Sequence, residues 1–509
     1  MIKGEVTSGF TKVPELGNVT RGASLNFLGA ISRSLLGTLF VFVLAKIMTV
    51  DEIGLFFLGT NVITFLAIIA VGGLGAGLRR FISIAHGKDD GNLAWDYFNT
   101  SIIIVIPFLF IMCLILFLFA DELSVKFFSE PDLADVIRTL IPFLILFSLA
   151  QLFLSVTQAY KKMQYWVICI DIVNNLLRIL IVLLLAFLGL SLYAGIWAYV
   201  ISILIASILA YHYFRQIMPV CEVKKYNNRV RDLLSFSTPV TFSLIANSGN
   251  GLLAVLIVGY FLAASDVGVY SVAMKIVAVG TIVLSSFNTM FSPLISQMHS
   301  KKEHKELKIL FTCITRWVFS LSLPLYILIA WYSVSISALF GDEYVSSEVC
   351  IMVLCLGQVV NALTGPSGNM LLMSGYAFIN LWTNFVGLIL MIFLNISLIP
   401  DYGIVGSAIA GGVALSVVNI VRVFLTWKKL DLHPFEFGYF KPVAAALILV
   451  LILVYIGPHR DEIIGIMQLM VYTVLGVMSY FLALLSLGLN QEDRYVLSKI
   501  VHRFSNVRS

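Results

Sequence analysis

Six ionisable side chains stand inside long apolar runs of this 509-residue sequence: Arg33, Arg178, Lys275, Arg316, Arg422 and Asp171. A charge at the centre of a bilayer costs roughly 2.5–3.5 kcal/mol even on a lenient scale, so each should face protein or water. Arg316 and Arg422 lie within about two helical turns of a span end and are expected to snorkel to the surface. Arg33, Arg178 and Lys275 are too deep for that. Three deep cations against one deep acid would favour an anion in a shared cavity and disfavour cationic ligands. Guanidinium and ammonium groups suit phosphate or diphosphate. The alternative for each is a buried cation that carbonyls or serines satisfy and that ties helices together.

Asp171, Asn174 and Arg178 are spaced i, i+3, i+7, which puts them on one face of an α-helix. That stripe is either a polar wall or a self-contained pair in which Asp171 neutralises Arg178. Gln151, Ser155 and Gln158 form a similar stripe on the preceding apolar run. Asn361, Thr364 and Ser367, beside Gly365 and Gly368, mark a polar place that reads as helix packing, a bend or a ligand site.

The elements that must position these residues are duplicated. At an offset of 214 residues, DEIGLF (residues 51–56) falls on SDVGVY (residues 265–270), Gly54 on Gly268 and Gly37 on Gly251. Arg33 then falls on Asn247, and Asn61 on Lys275. Each pair joins one cation to one asparagine, with the cation in opposite halves. A duplicated membrane chain with a polar site between its halves is the pattern of many transporters.

The chain is 60% hydrophobic and 12% charged, with a mean hydropathy of +0.97. Soluble chains carry about twice that charged share, so an all-helical, polytopic membrane protein is expected. Apolar runs give about fourteen spans: 22–47, 53–78, 97–120, 134–159, 165–189, 192–214, 233–262, 267–296, 309–332, 347–374, 377–399, 403–426, 440–457 and 463–488. With the N-terminus in the cytoplasm, 24 of the 33 lysines and arginines fall in cytoplasmic segments and four (Lys46, Lys126, Arg138, Arg460) in outer ones. That asymmetry satisfies the positive-inside rule and puts both termini in the cytoplasm. The expected organisation is an N-terminal lobe of six spans (1–220), a basic cytoplasmic linker (221–232), a second lobe (233–430), and a final pair of spans with a cytoplasmic tail (431–509).

Other chemistries find little support. A net charge of +5 is too small and scattered for nucleic acid. The six cysteines offer no disulfide framework, the seven histidines show no metal-ligand spacing, and residues 1–20 do not read as a cleavable signal. No P-loop, paired carboxylates or Ser/His/Asp constellation is present, so neither an enzyme nor a cofactor is expected.

Several stretches resemble one family. LAKIMTVDEIGLFFLGTNVITFLAIIAVGGLGAGLRRFIS is similar to the first two helices of polysaccharide exporters in the multidrug/oligosaccharidyl-lipid/polysaccharide (MOP) flippase superfamily, with their D/E-x-G-L/V-F/Y element. QAYKKMQYWVICIDIVNNLLRILIVLLL resembles their fourth loop and fifth helix. SDVGVYSVAMKIVAV and GPSGNMLLMSGYAFINLWTNFVGLILMIFLNISLIPDYGIVGSAIA resemble their second half. The resemblance implies two six-helix lobes around a central cavity, related by a pseudo-two-fold, and outward movement of polyprenyl-diphosphate-linked sugars, as in the O-antigen flippases. Arg33 fits the basic first helix of such flippases and departs from the acidic first helix of the drug exporters.

The expected function is therefore a monomeric flippase of the cytoplasmic membrane, moving lipid-linked oligosaccharide by alternating access. Arg33, Arg178, Lys275, Asn61 and Asn247 are its candidate substrate-binding residues. Asp171 is a candidate coupling or charge partner, with H⁺ or Na⁺ as a coupling ion. A cation-coupled drug or metabolite exporter of the same fold is the alternative, and it would need a deep carboxylate, for which only Asp171 could serve.

Overall fold

The computed structural model describes residues 16–218 and 229–488, and no strand occurs among them. The basic linker and the C-terminal tail thus lie largely outside the described residues. Ten described helices are long and apolar enough to cross a membrane, or up to twelve if each of two bent pairs is one span. Reaching the expected fourteen requires two further counts. The 54-residue helix Ala377–Leu430 must be divided at Gly403, whose φ of 56° breaks the helical path. The 16-residue Phe440–Tyr455 must also be included.

The first lobe comprises α1 (Leu16–Ile47), α2 (Val50–Val71), α3 (Leu74–Gly87), α4 (Gly91–Leu118), α5 (Leu133–Ala159), α6 (Asn175–Phe187) and α7 (Leu192–Ile217). A π-helical run, Val167–Asn174, leads directly into α6. Local chemistry sets several boundaries. Thr49 and Glu52 form a capping box that starts α2, each side chain bonding the other's backbone N–H at 3.3 and 3.0 Å. Gly72, at φ 51°, ends the same helix. Within the lobe α2 packs on α5, α5 on α7, α7 on α6 and α6 on α1.

The second lobe comprises α8 (Val230–Ser248), α9 (Ala254–Phe261), α10 (Ala264–Ala278), α11 (Thr281–Ser300), α12 (His304–Trp331), α13 (Glu348–Thr364), α14 (Ser367–Met373) and α15 (Ala377–Leu430). The pairs α8/α9 and α10/α11 bend by 53° and 50°. Here α12 packs on α13, α13 on α15 and α15 on α9. The closing helices α16 (Phe440–Tyr455) and α17 (Ile466–Ser486) pack on each other and on α12. Leucines and phenylalanines such as Phe110, Leu184, Phe187 and Phe393 stay exposed along the outer faces, as helices meeting lipid require.

The lobes meet through α2 with α10, α1 with α11, and α3 with α8. The first of these contacts carries the repeat in its geometry. A Cβ on Gly54 would stand 1.7 Å from the Ala264 carbonyl oxygen, and one on Gly268 would stand 2.5 Å from the Val50 carbonyl oxygen. Positions 50 and 264, like 54 and 268, are related by the same 214-residue offset. Residue i of one lobe thus meets residue j of the other and the reverse, as contacts across a two-fold axis do. Only glycine lets the backbones approach this closely.

Candidate functional site

A cavity of about 490 Å³ opens between the lobes, and the five residues singled out by the sequence all line it: Arg33 on α1, Asn61 on α2, Arg178 on α6, Asn247 on α8 and Lys275 on α10. No aspartate or glutamate is among its lining residues that the structure describes. Arg33, Asn247 and Lys275 are exposed to the space, and among the described residues Lys275 makes no ion pair. Asn61 is buried and donates its amide to the Phe57 carbonyl at 2.6 Å, which leaves its side-chain oxygen for a ligand. A multivalent anion suits these walls, since both lobes supply cations and the one carboxylate near them, Asp171, lies behind Arg33 rather than among the lining residues.

Arg178 is held by an aromatic platform. Its guanidinium carbon lies 3.6 Å from the centroid of the Tyr199 ring and 5.9 Å from that of Phe143. Tyr199 in turn packs on Phe40, Phe56 and Phe143. Cation–π attraction stabilises a charge without cancelling it, so Arg178 keeps its attraction for an anion. Its Nε has no hydrogen-bond partner among the described residues. Tyr199 escaped the sequence reading because an aromatic in an apolar span has no distinguishing pattern. The only signal was the depth of Arg178 itself, which requires some partner within the protein.

Asp171 does not neutralise Arg178, and the pairing considered for that stripe is corrected here. Its carboxylate lies 3.6 Å from Nε of Arg33, on a different helix. Seven residues separate Asp171 from Arg178, about 10 Å along a helix, whereas side chains on one helix meet at three or four. Asp171 also sits in the π-helical run 167–174, where i→i+5 bonding widens the turn. Gly29 makes the approach possible, because a Cβ there would sit 2.7 Å from Asp171 Oδ2. Asp171 is nearly buried, whereas the Arg33 side chain is 57% exposed. Arg33 therefore faces an acid on one side and open space on the other.

Arg33 and Asp171 also line a second chamber of about 390 Å³, together with Gln158, Trp166, Ser285 and Thr289. Gln158 and Ser155, from the stripe on α5, accept hydrogen bonds from Arg79 at 3.3 and 3.4 Å.

Neither Arg316 nor Arg422 snorkels. Arg316 is 4% exposed. Arg422 donates to Thr383 and Asn419, both at 3.3 Å, and to Asn384. Asn419 donates to Asn361 at 2.9 Å, and Asn361 to Gln358 at 3.0 Å. The polar patch at Asn361 thus belongs to a network that joins α13 and the two arms of α15. Apolar surroundings made satisfaction inside the protein the alternative to reaching water.

The known proteins that this chain is similar to share this architecture. The chain is 14% identical to a solved lipid II flippase MurJ in an inward closed conformation, covering 91% of this chain and 97% of that one at a TM-score of 0.71. It is 15% identical to an inward-facing multidrug resistance MATE family transporter of the MOP superfamily, covering 81% and 94% at a TM-score of 0.64. Fold and inter-lobe cavity together define a multi-pass, all-helical membrane protein with the fold of these transporters. The family model "Polysaccharide biosynthesis protein" matches residues 19–299, more than half of the chain, and the chain belongs to that family. A second model, "MatE", matches residues 239–397. Among curated relatives, the succinoglycan biosynthesis transport protein ExoT of Rhizobium meliloti (strain 1021) is 24% identical over 493 residues, 92% of each chain.

Proposed function

We propose that this protein flips a polyprenyl-diphosphate-linked oligosaccharide from the cytoplasmic to the outer leaflet for cell-surface polysaccharide synthesis. The observation that carries the proposal is the acid-free cavity to which both lobes contribute cations: Arg33 and Arg178 from one, Lys275 from the other. A diphosphate bridging them would neutralise charges that otherwise repel, and so favour approach of the lobes. The N-terminal lobe (1–220) and the second lobe (233–430) would rock about this site, with the chain crossing the membrane fourteen times and both termini cytoplasmic. In that topology the Gly54/Gly268 contact closes the outer end. The carboxylate needed by a cation-coupled exporter of cationic drugs is poorly provided for, since Asp171 is already engaged by Arg33.

The test is the lipid fraction of a strain lacking this protein. Accumulation of one undecaprenyl- or dolichyl-diphosphate-linked glycan on the cytoplasmic side, reversed by the restored gene, is the expected result. An unchanged lipid pool with altered drug resistance would favour the exporter.

A further inference from the structure

The second chamber has a different chemistry from the first. Apart from Asp171 and Arg33, of which only Arg33 also lines the neighbouring cavity, its polar groups are uncharged: the Gln158 amide and the hydroxyls of Ser34, Thr281, Ser285 and Thr289. One indole, that of Trp166, joins them. The central cavity has amides and hydroxyls of its own but adds three cations and five aromatic rings, whereas the second chamber holds a single cation that is already paired. Arg33 lines both, so a molecule filling the two spaces would pass its guanidinium at the junction.

The chambers also differ in depth. Trp166 and Arg178 lie on one continuous helical run, Gln164–Phe187. Their separation of twelve residues corresponds to at most about 18 Å, the α-helical value, since the π-helical run between them rises less per residue. Trp166 follows the turn bearing Lys161 and Lys162, where the chain re-enters the membrane, whereas Arg178 stands near the middle of the span. The second chamber is thus the shallower of the two, on the side of that basic turn.

Resting on the flippase reading above, we infer that this shallow chamber is the glycan subsite. It would receive the sugar or sugars next to the diphosphate while Arg33, Arg178 and Lys275 hold the diphosphate itself. Sugars present many hydroxyls and one C–H-rich face, and they carry little charge. Uncharged donors and acceptors around one aromatic ring match that surface. Asp171 fits the same assignment, because its carboxylate can accept from a sugar hydroxyl while it fixes the arginine at the junction.

The test uses the purified full-length protein in nanodiscs and four lipids: undecaprenol, undecaprenyl diphosphate, and undecaprenyl diphosphate bearing either N-acetylglucosamine or galactose. Binding is measured by native mass spectrometry. The wild type should prefer at least one sugar-bearing lipid over the sugar-free diphosphate by about tenfold, or ~1.4 kcal/mol. Trp166→Ala with Thr289→Ala should remove that preference and leave sugar-free diphosphate binding unchanged, which also reports an intact fold. Trp166→Phe, which keeps a ring, should retain most of the preference. Equal binding of sugar-free and both sugar-bearing lipids by the wild type, or a full preference in the double variant, would overturn the glycan subsite and leave the flippase reading standing. Binding of neither diphosphate lipid above undecaprenol would overturn both.

Discussion

Replacing Gly54 with alanine tests the coupling between the lobes at its tightest point. The new Cβ would sit 1.7 Å from the Ala264 carbonyl oxygen, and real Cβ contacts essentially never fall below 3.0 Å. Helix α10 must therefore move by at least 1.3 Å (3.0 − 1.7), and it cannot do so by rotating a side chain, because the obstacle is backbone. Overpacking a well-filled contact costs ~1–3 kcal/mol. Here the strain exists only while α2 and α10 touch, so it shifts the balance towards separated lobes by a factor of about 5–150. In the proposed topology that is the outward-open state. A cysteine placed at Ser265, beside the contact, should then react faster with a membrane-impermeant maleimide added to intact cells. Gly411→Ala is the control, since nothing lies within 4 Å of that position. Equal labelling of Gly54→Ala and the wild type, at equal expression, would show that this contact does not gate the outer end.

Four further outcomes are expected. Arg33→Ala should abolish surface glycan while the protein still inserts, because insertion is easier without the charge, and Arg33→Lys should retain part of the activity; normal export by Arg33→Ala would make the arginine structural. Lys275→Ala should impair export as severely, and Lys275→Asn combined with Asn247→Lys should restore part of it, judged by cell-surface glycan at matched protein levels. Arg422→Leu should lower the thermal midpoint without changing diphosphate binding, because Thr383, Asn384 and Asn419 lose their donor at ~1–3 kcal/mol for each group left unsatisfied. Cysteines near Glu343 and Asp461 should label from outside and one at Lys302 should not; outside labelling at Lys302 would sink the fourteen-span topology. The companion site at Lys225 lies outside the described residues.

Composition and charge asymmetry were enough to read a polytopic helical membrane protein, because burying backbone in lipid leaves few alternatives to helices. The 214-residue offset was legible too, since the cavity and the glycine crossing both repeat at that spacing. Arg33, Arg178 and Lys275 could be singled out because a deep charge is costly wherever it lies. Which partners satisfy those charges was not legible. Asp171, in a π-helical run, is two turns from Arg178 and pairs instead with Arg33 on another helix. Tyr199, twenty-one residues along the chain from Arg178, became its platform only through the packing of α7 on α6. Arg422 found its oxygens on both arms of a broken helix. Sequence spacing reports angles along a regular helix, whereas charge pairing is decided by contacts between helices, and those exist only once the lobes have packed.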